Sequence, residues 1–110
     1  MEMTDASVDI DSTHDTVRIA VSGEIDLANA ATVEHRLLGA VTNQMKAVSV
    51  DLSDLSYIDS AGLRVLFALG TRLEMLQIAF ELVVPPGSLT RRAIELSGMA
   101  SIAIVRPAPA

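Results

Sequence analysis

The chain has 110 residues, a length that fits a single domain with one core. Half of the residues are hydrophobic but only 3% are aromatic, a composition typical of an aliphatic α/β core. The formal net charge of −6 disfavours binding to nucleic acid or to an anionic membrane surface, and the absence of cysteine excludes disulfides, thiolate catalysis and Cys-ligated metals. No apolar run approaches the roughly 20 residues of a membrane span and the start of the chain is acidic, which favours a cytoplasmic protein.

The first half of the chain predicts a hairpin followed by a crossover helix. Apolar and polar residues alternate around Val8 and again around Ile19, with a turn-like STHD segment at residues 12–15. Asp26 is then expected to cap a helix that ends near residues 42–43 and carries apolar residues at helical spacing: Ala30, Val33, Leu37 and Val41. Residues 46–52 predict a buried strand, and the helix before it implies parallel pairing.

A polar elbow at residues 53–59 leads into a second helix that begins at Ser60. One broad face of this helix is predicted to be core: Leu63, Leu66, Leu69, Gly70, Leu73 and Leu76. The opposite strip is a candidate docking surface, and the alternative is that part of it packs under a neighbouring loop: Ser60, Arg64, Thr71 and Met75, flanked by Phe67 and Ala68.

The last third predicts a strand, a helix and a final short strand. Residues 78–84 form the strand, which ends at the PPG segment 85–87. Ser88 caps the helix and Gly98 ends it, and residues 101–105 form the last strand. The predicted order is ββαβαβαβ, an α/β domain with a mixed sheet over residues 7–105, between a flexible N-terminus (1–6) and a flexible tail (106–110).

Enzyme chemistry finds little support in the sequence. Ser60 lacks the G-x-S-x-G elbow of a hydrolase, and the two histidines lie in a turn (His14) and on a helix (His35). No phosphate-binding loop or dinucleotide fingerprint occurs, so no cofactor is expected. Three acids could converge on one end of the sheet as metal ligands, but turn and capping roles are favoured for them: Asp51, Asp54 and Asp59.

Ser60 is instead interpreted as a helix cap, a phosphoacceptor or both. A phosphate adds about −1.5 to −2 charges, which the N–H groups and dipole at a helix N-terminus receive well, while Asp59 opposes it. We expect the fold to survive phosphorylation. A partner docked over Ser60 would meet a desolvated dianion, so the switch would act on binding.

The segment DLSDLSYIDSAGL (51–63) resembles the signature of STAS-domain anti-sigma factor antagonists, and GEID (23–26) resembles that family's loop before the first helix. The helix RRAIELSGM (91–99) is also similar. The resemblance implies that the unphosphorylated chain binds an anti-sigma factor, commonly also a serine kinase, and so releases a sigma factor. It implies Ser60 as phosphoacceptor, reversal by a PP2C-type phosphatase, and a set of partner-binding residues: Gly23, Glu24, Asp26, Asp59, Ala61, Gly62 and Arg64.

Two departures from the family pattern bear on these expectations. Many members have Ser or Thr where this chain has Ala61, so no second hydroxyl can replace Ser60. Many also continue into a C-terminal helix; no such helix is expected here, which leaves one flank of the domain barer and favours a homodimer. The alternative hypothesis is a STAS subunit of a transporter or of a multi-protein stress complex, in which Ser60 is only a cap.

Overall fold

The computed structural model describes residues 5–108, which form one mixed sheet with helices packed on it. In chain order the elements are β1 (Ala6–Thr13), β2 (Thr16–Ile25), α1 (Ala30–Gly39), β3 (Ala47–Asp51), β4 (Leu55–Ile58), α2 (Ser60–Met75), β5 (Ala79–Val83), α3 (Leu89–Ser97), a 3₁₀ turn (Met99–Ser101) and β6 (Ile104–Arg106). The predicted α/β class is confirmed. Of the segments predicted to be flexible, residues 1–4 and 109–110 lie outside the described residues.

The sheet has the order β1-β2-β3-β5-β6, with β1 antiparallel to β2 and the remaining pairs parallel. Two strands pair with the same edge of the long strand β2, one after the other: β3 pairs with Thr16–Ala20 and β4 pairs with Gly23–Ile25. The elbow predicted at residues 53–59 therefore contains a strand that the sequence analysis did not predict. Strand β4 is only four residues long and alternates poorly, and its pairing depends on an irregularity of β2 between Gly23 and Glu24.

The core lies between the sheet and the helices α1 and α2, which also contact each other. The buried face of the sheet comes from alternate residues such as Val17 and Ile19 of β2 and Val48 and Val50 of β3, all fully buried. The core face of α2 is confirmed at Leu66, Leu69, Gly70 and Leu73, whereas Leu63 and Leu76 are half-buried. Gly62 and Val65 are also buried and were not predicted as core.

Helix ends agree with the prediction at α3 and differ from it at α1. The Ser88 hydroxyl accepts a hydrogen bond from the N–H of Arg91 at 3.0 Å, and Gly98 ends α3 with φ 82°, both as predicted. Helix α1 ends at Gly39 instead of residues 42–43, where the N–H groups of Ala40 and Val41 donate to carbonyls only three residues back, both at 3.2 Å. The N-cap position of α1 is Asn29 instead of Asp26.

The last strand begins later than predicted. Residues 101–103 were expected in the strand, but the N–H groups of Ile102 and Ala103 both donate to the carbonyl of Met99 at 3.0 Å. Those bonds belong to the 3₁₀ turn, so β6 covers only Ile104–Arg106. Over residues 5–108, no helix combines the length and the apolar content needed to cross a bilayer.

Candidate functional site

The candidate site lies where β2 and β4 end side by side and α2 begins. The N–H of Asp59 donates to the carbonyl of Ile25 at 3.2 Å, and Ile25 pairs with Ile58 in the sheet. Parallel strands end at the same edge of a sheet, so the loop after β2 and the first turn of α2 are neighbours. The two motifs of the sequence, 23–26 and 51–63, therefore form one surface.

Asp59, and not Ser60, is the N-cap of α2. Its carboxylate oxygen Oδ1 accepts from the N–H groups of Ala61 at 2.9 Å and Gly62 at 3.1 Å. Asp59 is extended, with φ −108° and ψ −170°, which lets its side chain turn back over the helix end. The prediction that Ser60 caps the helix is wrong because Ser60 is already the first helical residue.

The Ser60 side chain is exposed at the N-terminus of α2. Within residues 5–108 its hydroxyl makes no hydrogen bond, and so neither His14 in the β1–β2 turn nor His35 on α1 is bonded to it. The hydroxyl is therefore accessible to solvent, and no hydrogen bond within residues 5–108 depends on it. It lies at the positive end of a helix whose cap is supplied by another residue.

Gly23 gives the end of β2 its shape. Its φ of +90° is a backbone conformation that L side chains rarely adopt, and a Cβ there would lie 2.4 Å from the carbonyl oxygen of Asp5. The carbonyl of Gly23 accepts from the Ser56 hydroxyl at 2.9 Å, and the N–H of Glu24 donates to the carbonyl of Asp5 at 3.0 Å. Gly23 is thus held between β1 and β4, and Glu24 follows with its side chain exposed.

The loop between β2 and α1 is held by Asp26 and Asn29. The N–H of Asp26 donates to Asn29 Oδ1 at 3.0 Å, and the Asp26 carboxylate accepts from the N–H of Ala28 at 2.9 Å. The Asn29 amide also donates to the carbonyl of Glu24 at 2.8 Å. This closed loop presents Leu27 with 82% of its surface exposed. Asn29 was missed in the sequence, although an Asp and an Asn three residues apart are a recognisable turn pattern.

Gly62 is buried and lets α2 lie close to the sheet. A Cβ on this residue would lie 2.5 Å from Ile58 Cγ1 and 3.1 Å from the Ile25 side chain. Gly62 thus acts on the site by fixing the position of the first turn of α2, and it offers no side chain to a partner.

A hollow of about 230 Å³ lies between α1 and α2 and reaches Ala61, the residue after Ser60. It is lined by Ala61 and Arg64 of α2, by Glu34 of α1 and by Leu27 of the preceding loop, among others. Arg64 is exposed, and no carboxylate among the described residues forms an ion pair with it. The predicted strip on α2 is confirmed as exposed at Ser60, Arg64, Thr71 and Met75, while Phe67 and Ala68 are half-buried.

The acidic residues of the elbow have local structural partners. The Asp51 carboxylate accepts from the N–H and the hydroxyl of Ser53, which is turn chemistry, and Asp59 caps α2. The side chain of Asp54 is exposed, and its carbonyl accepts from the N–H of Gly23 at 3.2 Å. In the described part of the chain, no three acidic or histidine side chains are grouped to hold a metal ion.

Comparison with known proteins identifies the family. The STAS domain family model matches residues 7–108, nearly the whole chain. This chain belongs to the STAS domain family. A curated relative is the anti-sigma-F factor antagonist RsfB of Mycobacterium tuberculosis, 36% identical over 81 residues, which are 74% of this chain and 65% of RsfB. The match thus spans just under two thirds of the length of that relative.

Solved structures of other proteins share this STAS fold. The anti-sigma factor antagonist from Mycobacterium paratuberculosis has a TM-score of 0.82 and 27% identity, covering 94% of this chain and 86% of that one. SpoIIAA in its unphosphorylated form has a TM-score of 0.73 over 90% of this chain and 87% of its own. Its 20% identity shows the fold alone.

Proposed function

We propose that this STAS domain is an anti-sigma factor antagonist that is switched at Ser60. The observation that carries the proposal is the Ser60 hydroxyl, which is exposed and makes no hydrogen bond with residues 5–108, on a helix that Asp59 caps. A modification of this hydroxyl changes the surface without removing a bond from the fold. The relationship to RsfB, which is named an anti-sigma-F factor antagonist, supports the same function.

The unphosphorylated chain binds an anti-sigma factor and thereby frees a sigma factor in the cytoplasm. The chain acts by binding and not by turnover, because no histidine or carboxylate of residues 5–108 accepts a hydrogen bond from the Ser60 hydroxyl, and the neighbouring Asp59 carboxylate instead accepts from the N–H groups of Ala61 and Gly62. When the anti-sigma factor is a serine kinase, it supplies ATP and Mg²⁺, and Ser60 Oγ attacks the γ-phosphorus. The hydroxyl proton passes to a base of the kinase and ADP leaves; a PP2C-type phosphatase reverses the change by hydrolysis.

We expect a phosphate on Ser60 to affect binding of the partner and not the fold, because few groups of the domain are available to bind the phosphate. The N–H groups of Ala61 and Gly62 already donate to the Asp59 carboxylate, which repels a second anion. The phosphate therefore remains at the surface as a charge of about −1.5 to −2. A partner that covers Ser60 would have to desolvate this charge, which costs several kcal/mol unless basic groups neutralise it.

The partner-binding surface, called the docking end below, is formed by residues of both motifs, 23–26 and 51–63. Glu24, Asp26 and Asp59 give it negative charge, and Ala61 and Arg64 extend it along α2. Gly23 and Gly62 contribute through the backbone positions described above. The hypothesis that Ser60 serves only as a cap in a transporter or stress complex is not favoured, because Asp59 has that role.

We also propose that two copies of the chain associate as a homodimer through the edge of the sheet at β6. The short edge strand β6 leaves Ile104 56% exposed beside a hollow of about 440 Å³ that Gly70 and Phe80 also line. Light scattering at several protein concentrations tests it, and a constant monomer mass contradicts it.

The proposed function is tested with a panel of purified anti-sigma factors from the organism that encodes the chain. Each is incubated with the chain and Mg-ATP, and complex formation and phosphorylation are followed by gel filtration and mass spectrometry. We expect one of them to bind the chain and to place a single phosphate on Ser60, with none on the Ser60→Ala variant. Phosphate at another residue, or no complex with any of them, contradicts the proposal.

A further inference from the structure

Exposed apolar side chains line two hollows at the end of the sheet where Ser60 begins α2. Among the described residues, seven large hydrophobic side chains are exposed, and three of them lie at this end of the sheet: Leu27, Tyr57 and Leu89. Leu27 lines the α1–α2 hollow together with Ala61, the residue after Ser60. Tyr57 and Leu89 line a second hollow of about 130 Å³ together with Ile58, two residues before Ser60.

The position of Leu89 is fixed by the structure around it and is not that of a loose loop. The neighbouring Thr90 is buried, and its hydroxyl donates to the carbonyl of Leu55 in β4 at 3.2 Å. Ser88 caps the helix, and the Arg91 guanidinium donates to the carbonyl of Val84 at 2.8 Å. Leu89 is nevertheless 83% exposed and Tyr57, beside it, is 49% exposed.

This ordered backbone has a consequence for binding. Scattered exposed leucines are ordinary on protein surfaces, but a partner that covers Leu89 does not have to order the chain that carries it, which lowers the entropic cost of binding. Tyrosine is also enriched among the residues that dominate protein interfaces. A kinase that takes the Ser60 hydroxyl into its active site must cover the surface on both sides of this residue.

We propose that Tyr57 and Leu89 form an apolar anchor for the anti-sigma factor, in a hollow separate from the one that Leu27 and Arg64 line. The inference rests on the proposed function and adds a third element, the start of α3, to the docking end. The partner surface it fits is an apolar patch next to the kinase active site, with basic groups facing Glu24 and Asp26. Contact with Tyr57 and Leu89 contributes to the affinity for the anti-sigma factor, and phosphorylation of the Ser60 hydroxyl switches the binding off.

The chain contains a matched control for this proposal. Leu96 lies on the same helix as Leu89 and is 76% exposed, but it is near the other end of α3. Leu89→Ser and Leu96→Ser remove the same apolar group from similarly exposed sites, so both are expected to fold like the wild type. Tyr57→Ser is the second anchor variant, and its thermal midpoint is measured first because Tyr57 lies in β4.

The test measures the affinity of each variant, by titration calorimetry, for the anti-sigma factor that phosphorylates wild-type chain in the panel above. We expect Leu89→Ser and Tyr57→Ser to weaken binding about tenfold or more, and Leu96→Ser to bind within about twofold of wild type. Equal affinities for Leu89→Ser and Leu96→Ser overturn the anchor while the proposed function stands. If no anti-sigma factor binds the wild-type chain, the proposed function fails and the anchor fails with it.

Discussion

The backbone N–H of Asp59 donates to the carbonyl oxygen of Ile25 at 3.2 Å, across the ends of two parallel strands. This bond joins two residues that are 34 positions apart in the sequence, and it brings the loop after β2 next to the first turn of α2. At the same position in the fold, two adjacent residues have different roles: Asp59 caps α2, and Ser60 is the proposed phosphoacceptor. Asp59 can serve as the cap because the chain is still extended where it leaves β4, which lets the Asp59 carboxylate turn back over the helix end. Ser60 is then not needed as the cap, and it is exposed at the surface.

Replacing Ser60 by Ala should leave the stability of the fold nearly unchanged. The hydroxyl makes no hydrogen bond with the described residues, and Ala has a higher helix propensity by a few tenths of a kcal/mol. Thermal denaturation of the two proteins checks this expectation. A loss of stability of about 1 kcal/mol or more would show that Ser60 has a capping role after all.

Removing the Asp59 carboxylate should destabilise the protein. Asp59→Ala takes away the acceptor for two N–H groups of α2, which costs about 1 kcal/mol for a typical N-cap. Asp59→Asn retains an acceptor oxygen and serves as the control, with a smaller loss. Urea denaturation compares the three proteins, and equal midpoints for Ala and wild type would contradict the assignment of the cap.

Gly62→Ala should destabilise the fold by about 1–3 kcal/mol, the usual effect of overpacking. The added Cβ would lie 2.5 Å from Ile58 Cγ1. Gly39→Ala is the matched control, because nothing lies within 4 Å of a Cβ at that helical position. We expect the control to be neutral or slightly stabilising in the same denaturation experiment, and equal effects of the two substitutions would argue against a close contact at Gly62.

Arg64→Glu should weaken binding of the anti-sigma factor, because Arg64 lies one helical turn after Ser60 on the exposed strip. Reversal of a charge at the rim of an interface acts mainly on the association rate, so we expect a slower rate that depends less on salt, because one attractive contact with the partner is lost. Arg72→Glu, near the end of the same helix, is the control. Surface plasmon resonance at two ionic strengths measures both, and an unchanged rate for Arg64→Glu would exclude Arg64 from the docking end.

Phosphorylation of Ser60 should leave the fold intact. The core contacts of α2 come from its opposite face, at residues such as Leu66 and Leu69. In ¹H–¹⁵N spectra, we expect shifts confined to the docking end and none in β5 or β6. Widespread shifts would show that the phosphate acts through the domain's own core.

The sequence was informative where a local signal decides the structure. The β1–β2 hairpin follows from alternation around a turn, and α3 lies between a Ser88 cap and a Gly98 stop that are both local. The exposed strip of α2 followed from helical periodicity, apart from the half-buried Phe67 and Ala68.

The sequence was uninformative where the outcome depends on distant residues. Strand β4 exists because β2 continues past its pairing with β3, and this is not visible in four residues of mixed polarity. Asp59 and Ser60 are both good capping residues, and only the backbone dihedrals decide between them. The exposure of Leu89 was equally hidden, because an apolar residue at the start of an amphipathic helix can face the core or the solvent.

The most direct test of the switch compares the affinity of the anti-sigma factor for the unphosphorylated chain and for the chain carrying phosphate on Ser60. Phosphoserine is incorporated at position 60 during synthesis, so that the comparison does not depend on the kinase, and Ser60→Ala serves as a neutral control. We predict that the phosphorylated chain binds at least about a hundredfold more weakly, while the control binds like the wild type. Equal affinity of the phosphorylated and unphosphorylated chains would contradict the account.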